Sequence, residues 1–535
     1  MLVPTAGGLL IGLFVRFVMP DRRTHGVADV MESVALRSGR VGLREGLGSA
    51  VVSAASISVG ASVGREGPVV HLGATLASAV AHRLGLSRAQ AVTLLGCGVA
   101  AAVASSFNAP IAGVFFALEV VIGHYALNAF APIVLASVSG AIVSRLHFGD
   151  FPAFIVPDHT IASFLELPAF ALLGVTSAIL AFVLLKSVGL VRDTANRIGA
   201  PVWVRPAIAG CLVGLIALKF PEILGVGYGP TDSALKELMP LHILIFLVIF
   251  KTAATALCLG GGFGGGIFSP SLFIGAMLGG AFGIVATQAF PEYSTGHGAY
   301  ALVGMGAVAG SVLGAPISTI LIVFELTGDY AVTVAVMVAV VIASVITQQT
   351  RARSFFRWQL DDRGIDLDGG PEGLLLGDIR AADVMSTDFA AVSASASMRE
   401  VRERLLTAPH AELFVVDGGG NLEGTITLAD LSEDALDGSL DGLLNANDVA
   451  RHHPPVAVAD GGIDQALRLM RDSGEEHIAV VRDTQLHAAG GILAPGRRDA
   501  GLQSGTHGRT ARRTWQGVTV PEFAFCLGTV FNNRA

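Results

Sequence analysis

Apolar runs follow one another, with short polar breaks, from the first residue to about residue 350, and there the pattern changes. The runs cover about 1–20, 46–62, 67–85, 91–105, 110–146, 165–190, 204–220, 240–260, 267–290, 300–314 and 316–349. Many are near or below the roughly 20 residues of a full membrane span, and several are interrupted by Gly or Pro. Broken helices of this kind are expected where irregular backbone lines a path enclosed by protein rather than facing lipid. The opening run, "MLVPTAGGLLIGLFVRFVMP", lacks the basic start and small-residue cleavage site of a signal peptide. It reads as the interior of a membrane helix, with earlier helices expected to be missing before it. Arg351, Arg353 and Arg357 follow the last apolar run, which places the C-terminal part in the cytoplasm.

Beyond the linker expected at 353–376 the period shortens. "AELFVVD" (411–417) predicts a buried strand and "SMREVRERLL" (397–406) an amphipathic helix, so 377–495 reads as an α/β region. Past 495 a polar, basic stretch without periodicity is expected to be a disordered tail, 496–535.

Both regions repeat internally. "FNAPIAGVFFALEVV" (107–121) resembles "LGAPISTILIVFELT" (313–327), with Pro110 and Pro316 in register. "GREGPVVHLGA" (64–74) resembles "GIFSPSLFIGA" (266–276), with Pro68 and Pro270 in register. Two matched pairs at nearly one offset predict a polytopic α-helical membrane protein built from two homologous halves, the mark of a transporter or channel. In the α/β region Asp383-Val384 matches Asp448-Val449, and Val415-Val416 matches Val480-Val481, which divides it at 440/441.

Composition agrees with the pattern. Charged residues are 15% of the 535 and hydrophobic ones 52%, with a mean hydropathy of +0.63; a soluble chain carries about 25% charge. The 66 glycines suit close helix packing. A net charge of −8 gives no reason to expect nucleic acid. Cys97, Cys211, Cys258 and Cys526 show neither metal nor disulfide spacing. No His or Ser stands in a catalytic constellation, so no enzyme is expected, and no cofactor is required.

The candidate chemistry lies in the Gly-Pro breaks. In "GREGP" (64–68), Pro68 suits a first helical turn. Glu66 and Gly67 then fall at a helix N-terminus, where free N–H groups and a partial positive charge make an anion site. Gly64 and Gly67 allow close backbone approach. A carboxylate at Glu66 can occupy the anion's own place, and protonating it would vacate that place, which makes a gate. Arg65 is adjacent. In "GGGFGGGIFSP" (260–270), the N–H groups of Ile267 and Phe268 would point at the same place if the halves are antiparallel.

These residues resemble the CLC family of chloride channels and chloride/proton antiporters: "GREGP" at 64–68, "GGIFSP" at 265–270 and "FELTGDY" at 324–330. The resemblance covers about 1–350 and gives the domain bounds 1–352. It implies a homodimer in a lipid bilayer with one pore per subunit, each subunit built from inverted internal repeats, in a bacterial-type inner membrane. It also implies a site for chloride and other small anions at Gly64, Arg65, Gly67, Ile267, Phe268 and the hydroxyl of Tyr330. The family's first motif aligns with "THGVA" (24–28), which puts His25 where a serine would bind chloride. The second acid of the family's proton-relay pair is replaced by Val120, after Glu119. The reading is therefore a voltage- or pH-gated channel. The alternatives are an antiporter whose protons use His124 or Glu119, and a truncated or regulatory membrane protein that does not conduct. A divalent-cation transporter would want more acids along a pore.

The soluble repeat resembles a tandem CBS module, 377–440 and 441–495. "GTITLAD" (424–430) implies contacts from Thr427 and Asp430 to an adenine nucleotide, ATP, ADP or AMP. "GGILAPGRRD" (490–499) lacks the corresponding hydroxyl and acid.

Overall fold

The N-terminal unit is helical throughout its described part, because its apolar runs have no water to hydrogen-bond their backbone. Its helices are α1 (Leu2–Phe17), α2 (Val27–Leu36), α3 (Leu43–Ser58), α4 (Glu66–Arg83), α5 (Arg88–Phe107), α6 (Pro110–Phe116), α7 (Leu127–Phe148) and α8 (Leu167–Arg197). After them come α9 (Arg205–Ala217), α10 (Tyr228–Leu235), α11 (Leu241–Gly260), α12 (Phe268–Ala289), α13 (His297–Leu313), α14 (Pro316–Thr327), α15 (Tyr330–Gln349) and α16 (Phe355–Asp361). The computed structural model describes residues 1–150, 154, 164–292, 296–350, 354–365, 379–408, 410–431, 441, 443–482 and 489–493. They form two units, Met1–Leu367 and Asp368–Ala535. The tail expected at 496–535 lies outside the described residues. Among the described residues α5, α7, α8, α11, α12 and α15 are long and apolar enough to cross a membrane.

Glycines set the closest helix contacts. A Cβ on Gly279 of α12 would lie 2.0 Å from the Tyr300 carbonyl of α13, and one on Gly304 of α13 would lie 2.5 Å from the Gly275 carbonyl. The two helices therefore meet backbone to backbone, which small residues alone allow. Helix α13 is buried along its length, as a helix apolar on every face should be.

The internal repeat appears as an inverted pair. Gly64 and Gly266 form an antiparallel bridge, each N–H donating to the other's carbonyl at 2.7 Å. Helices α4 and α12 start from that bridge. Helices α6 and α14, which begin at the matched Pro110 and Pro316, exchange carboxylates. Glu325, near the end of α14, accepts from Ile111 and Ala112 N–H of α6, both at 2.8 Å. Glu119, in the π-helical continuation of α6 (Ala117–Ile122), accepts from Ile317 N–H at 3.0 Å and Ser318 N–H at 2.8 Å, and also from the Ser318 hydroxyl. Each carboxylate satisfies the open N–H groups of the other helix.

This arrangement shows where the proton-relay candidates stand. Both oxygens of Glu119 are committed to the start of α14, so it is a cap. His124 is exposed in the turn after Ile122, and Val120 is buried. The linker is corrected. Helix α16 belongs to the N-terminal unit, where Phe355, Phe356 and Leu360 are buried in its core. An aromatic-rich amphipathic turn directly after the last long helix is too apolar to be left in water.

In the C-terminal unit, β1 (Ala390–Ser393) pairs parallel with β2 (Glu412–Val416), and β2 pairs antiparallel with β3 (Leu422–Thr427), with β4 (Arg451–His452) at the edge. A second sheet has β5 (Val456–Val458) parallel to β6 (Ile478–Val481) and β6 antiparallel to β7 (Ala489–Leu493). Helices α17 (Met398–Thr407) and α18 (Ile463–Ser473) connect the parallel strands of each copy. The bridges Arg380↔Gly462 and Ser397↔Asn445 repeat at the offset read from the sequence, and tie each copy to the other.

Glu412 starts β2 with its side chain buried, its Oε2 3.7 Å from His477 Nδ1. Burial first, and then the Glu475 carboxylate, push its carboxyl up to about 7 against the pull of Arg451. A raised carboxyl pKa in the folded state means stability is full below about 4.5 and falls as pH rises through about 7. Glu412→Gln should leave stability unchanged at pH 4 and raise it by about 3 kcal/mol at pH 8. Pulse proteolysis of the C-terminal unit across a urea series at both pH values measures this. An equal gain at both would refute it.

Candidate functional site

The Gly64–Gly266 bridge brings two helix N-termini together. Glu66 is the first residue of α4, and Ile267 caps α12, whose first residue is Phe268. The approach leaves no room for side chains on the backbone: a Cβ on Gly266 would lie 2.9 Å from Gly67 N, and one on Gly64 would lie 2.6 Å from Glu66 Oε2.

Glu66 is 2% exposed. Its carboxylate reaches across to the first turn of α12, where Oε2 accepts from Ser269 N–H at 3.4 Å and Oε1 from the Ser269 hydroxyl. Tyr228, at the start of α10, donates its hydroxyl to Oε1 at 3.3 Å. Arg65 Nε is 4.0 Å from Oε1. The acid therefore sits where a helix N-terminus would hold a free anion.

Beside it lies a small cavity whose lining includes Glu66, Gly67, Ile267, Phe268, Val27 and Phe356. The first turns of α2, α4 and α12 all contribute to it. Its remaining wall is apolar.

The structure brings together Glu66, Gly67, Ile267 and Phe268. Gly64 stands at the same place, but its N–H is already given to the Gly266 carbonyl, so its part is to permit the approach. The Arg65 side chain turns outward, donating to the Ser106 carbonyl at 3.1 Å with its guanidinium 5.2 Å from the Tyr228 ring centroid.

Two expected residues lie elsewhere. Tyr330 is 79% exposed. Its motif is a helix junction: Gly328 takes the left-handed conformation (φ +63°) that ends α14, and Asp329 caps α15 by accepting from Val332 N–H at 2.8 Å. The aromatic residues that line the cavity are Phe116, Phe268 and Phe356 of α16, none of which carries a hydroxyl. His25 is buried, but its ring leaves the cavity to α2's Val27. Nδ1 lies 3.3 Å from the Ser49 hydroxyl, Nε2 lies 3.3 Å from Asp21 Oδ2, and the ring stacks on His71 at 5.6 Å. The neighbouring Gly26 N–H is taken by Asp29 Oδ2 at 2.8 Å. His25 belongs to a charged cluster in which Arg363, just past α16, bridges Asp29 and Glu32 of α2.

Sequence reasoning missed Tyr228, Ser269, Val27 and Phe356. Ser269 lay inside a quoted motif, and its position before Pro270 marks it as a first-turn residue. Tyr228 offered only a phenol among glycines in "GVGYGP".

In the C-terminal unit Thr427 and Asp430 come together at the end of β3. Asp430 Oδ2 accepts from Thr427 N–H at 2.8 Å and from its hydroxyl at 2.7 Å. The segment expected to lack these groups in the second copy continues past Leu493, outside the described residues.

Comparison with known proteins gives two family matches. Residues 7–348 match the voltage gated chloride channel family and residues 381–436 match the CBS domain. The chain is 33% identical over 360 residues to a putative chloride channel protein ClcB-like from Ralstonia nicotianae, covering 66% of this chain and 84% of that one. It is 32% identical over 282 residues to an H(+)/Cl(-) exchange transporter ClcA from Salmonella paratyphi B, covering 51% of this chain and 60% of the relative. A slow cyanobacterial Cl−/H+ antiporter shares the fold, with a TM-score of 0.62 at 20% identity over 68% of this chain and 86% of that one.

Proposed function

The chain belongs to the voltage gated chloride channel family, a family of multi-pass membrane anion transporters, and from that premise we propose that it passes chloride by a gate made of Glu66. The observation that carries the proposal is the Glu66 carboxylate seated on the first turn of α12. Ionised, it holds the Ser269 N–H and hydroxyl and keeps chloride out. Protonated, it is a weak competitor, because hydrogen bonds to an ionised acceptor are about twice as strong as neutral ones. Chloride then takes the same donors, together with the N–H groups of Ile267 and Phe268, and moves on through the cavity beside them.

Proton exchange is not part of the proposed cycle. Coupling needs a titratable relay through low-dielectric protein. Val120 has no proton to carry, Glu119 is committed to capping α14, and His124 is exposed. The reading is therefore a proton-gated channel, working as a homodimer in an inner membrane with the C-terminal unit in the cytoplasm. It is tested in liposomes holding the purified protein, from the reversal potential under opposed chloride and proton gradients. A potential set by chloride alone supports the channel. A potential displaced by the proton gradient makes the protein an exchanger, the activity named for the Salmonella relative.

At the C-terminal unit the proposed ligand is an adenine nucleotide at Thr427 and Asp430. The support is that β3 ends with a hydroxyl and an acid side by side at a surface turn. ATP, ADP or AMP should then raise the melting temperature of the full protein in detergent, and Asp430→Ala should remove the shift. No shift in the wild type leaves the repeat as a structural element.

A further inference from the structure

We infer that Tyr228 is the latch of the gate, a positioning residue that holds the Glu66 carboxylate in its closed place. The inference rests on the gating reading above and adds to it what sets the pH at which the gate opens.

The geometry of the turn before α10 leaves the phenol little choice of position. Lys251 of α11 is fully buried, and its Nζ donates to the carbonyls of Ile223 and Gly225, both at 2.8 Å, while lying 4.8 Å from the Phe273 ring centroid. The Gly225 N–H donates to the Gly60 carbonyl at 3.4 Å. Gly227 then turns the chain with φ +94°, and a Cβ there would meet Phe273 at 2.5 Å, so the position excludes any side chain. The Tyr228 ring that follows meets the Arg65 guanidinium at 5.2 Å and the Phe154 ring at 5.1 Å between centroids, inclined at 63°. Its hydroxyl meets Glu66 Oε1. A fully buried lysine, a glycine with no space beside it and two ring contacts together fix one hydrogen bond.

That bond acts in one direction. A phenol donating to a carboxylate favours the ionised acid, and the bond weakens when the acid takes a proton. The groups that could bias the acid otherwise are few among the described residues. From the first turn of α4 and its cap the ionisable groups are Glu66 itself and Arg65; further along α4, His71 stacks on His25, and His82 and Arg83 stand in its last turn. From α11 Lys251 is engaged by the turn, and the first turn of α12 presents Ser269 and no ionisable side chain. Tyr228 therefore stabilises the closed state, and removing its hydroxyl should open the gate at less acid pH.

The test is the pH profile of chloride flux from liposomes holding the full chain. Tyr228→Phe keeps the ring and its contacts and removes the donor. Its flux midpoint should move up by about one pH unit, the worth of one hydrogen bond to a charged group. Replacing Tyr228 by 3-fluorotyrosine, a stronger donor of nearly the same shape, should move the midpoint down. In a Glu66→Gln background neither change should alter the pH profile. The gating reading fails by itself if Glu66→Gln keeps the wild-type profile. If Glu66→Gln flattens the profile while both Tyr228 variants keep the wild-type midpoint, the gate stands and the latch is overturned. If Tyr228→Phe fails to assemble, the fluorotyrosine protein decides: a downward shift supports the latch and an unmoved midpoint refutes it.

Discussion

Glu66→Gln should conduct chloride at alkaline pH as fast as the wild type does in acid, and its flux should no longer titrate. The side chain is 2% exposed and lies across the start of α12, so the substitution changes charge and almost nothing of shape. In the wild type the protonated, open fraction falls about tenfold for each pH unit above the midpoint. Two units above it, the variant should therefore carry about a hundred times the wild-type flux. Gln can still accept from Ser269 N–H and hydroxyl, but as a neutral acceptor it yields to chloride. Initial rates of chloride efflux between pH 4 and 9, normalised to folded protein, measure the effect. A Gln variant that still titrates would place the gate at another group. A folded variant with no flux would show that the carboxylate is needed for passage rather than for closure.

The second large effect is on stability. Glu119→Ala and Glu325→Ala should each destabilise the N-terminal unit by about 3–5 kcal/mol, since each removes two backbone hydrogen bonds to a carboxylate at a helix N-terminus, and Glu119→Ala also the one from the Ser318 hydroxyl. The partners left behind are the N–H groups of Ile317 and Ser318 in one case, and of Ile111 and Ala112 in the other. No residue is near enough in sequence to replace a carboxylate that reaches across from the opposite half. Glu119→Gln should recover about half of the loss, because an amide oxygen accepts where a methyl cannot. Melting in detergent measures both. The pH profile of flux should be the same in Glu119→Gln as in the wild type, since this carboxylate caps α14 and carries no proton to Glu66. A displaced profile would return Glu119 to the proton pathway.

The two carboxylates also show how the repeat was legible before any contact was known. Short helices starting at Pro110 and Pro316, each followed by an acid, were visible as matched strings, and so were the glycine loops before Pro68 and Pro270. The sequence determined these because they are local. Proline and glycine act on the backbone that carries them, and a run of apolar residues selects its solvent whatever its neighbours are. The same holds for the strand and helix of each copy of the C-terminal repeat, whose offset appears again in the paired bridges Arg380↔Gly462 and Ser397↔Asn445. Glu66 was legible for the same reason, since a lone acid between glycines in an apolar run has few other uses.

What tertiary structure alone decided is which distant side chains meet. "FELTGDY" looked like a site, and it is a glycine-ended helix followed by an aspartate-capped one, with Tyr330 on the outside. "THGVA" placed a histidine near the path, but Asp21, Ser49 and His71 hold the ring in a charged cluster and Val27 faces the cavity. Phe356 falls within the linker expected at 353–376, yet packing draws its seven-residue helix to the cavity. Tyr228 reaches Glu66 across 162 positions of sequence, through a turn fixed by a lysine on a third helix. Contacts of that range depend on how helices cross, which is set by the summed packing of many small residues. No local pattern in the chain records that sum.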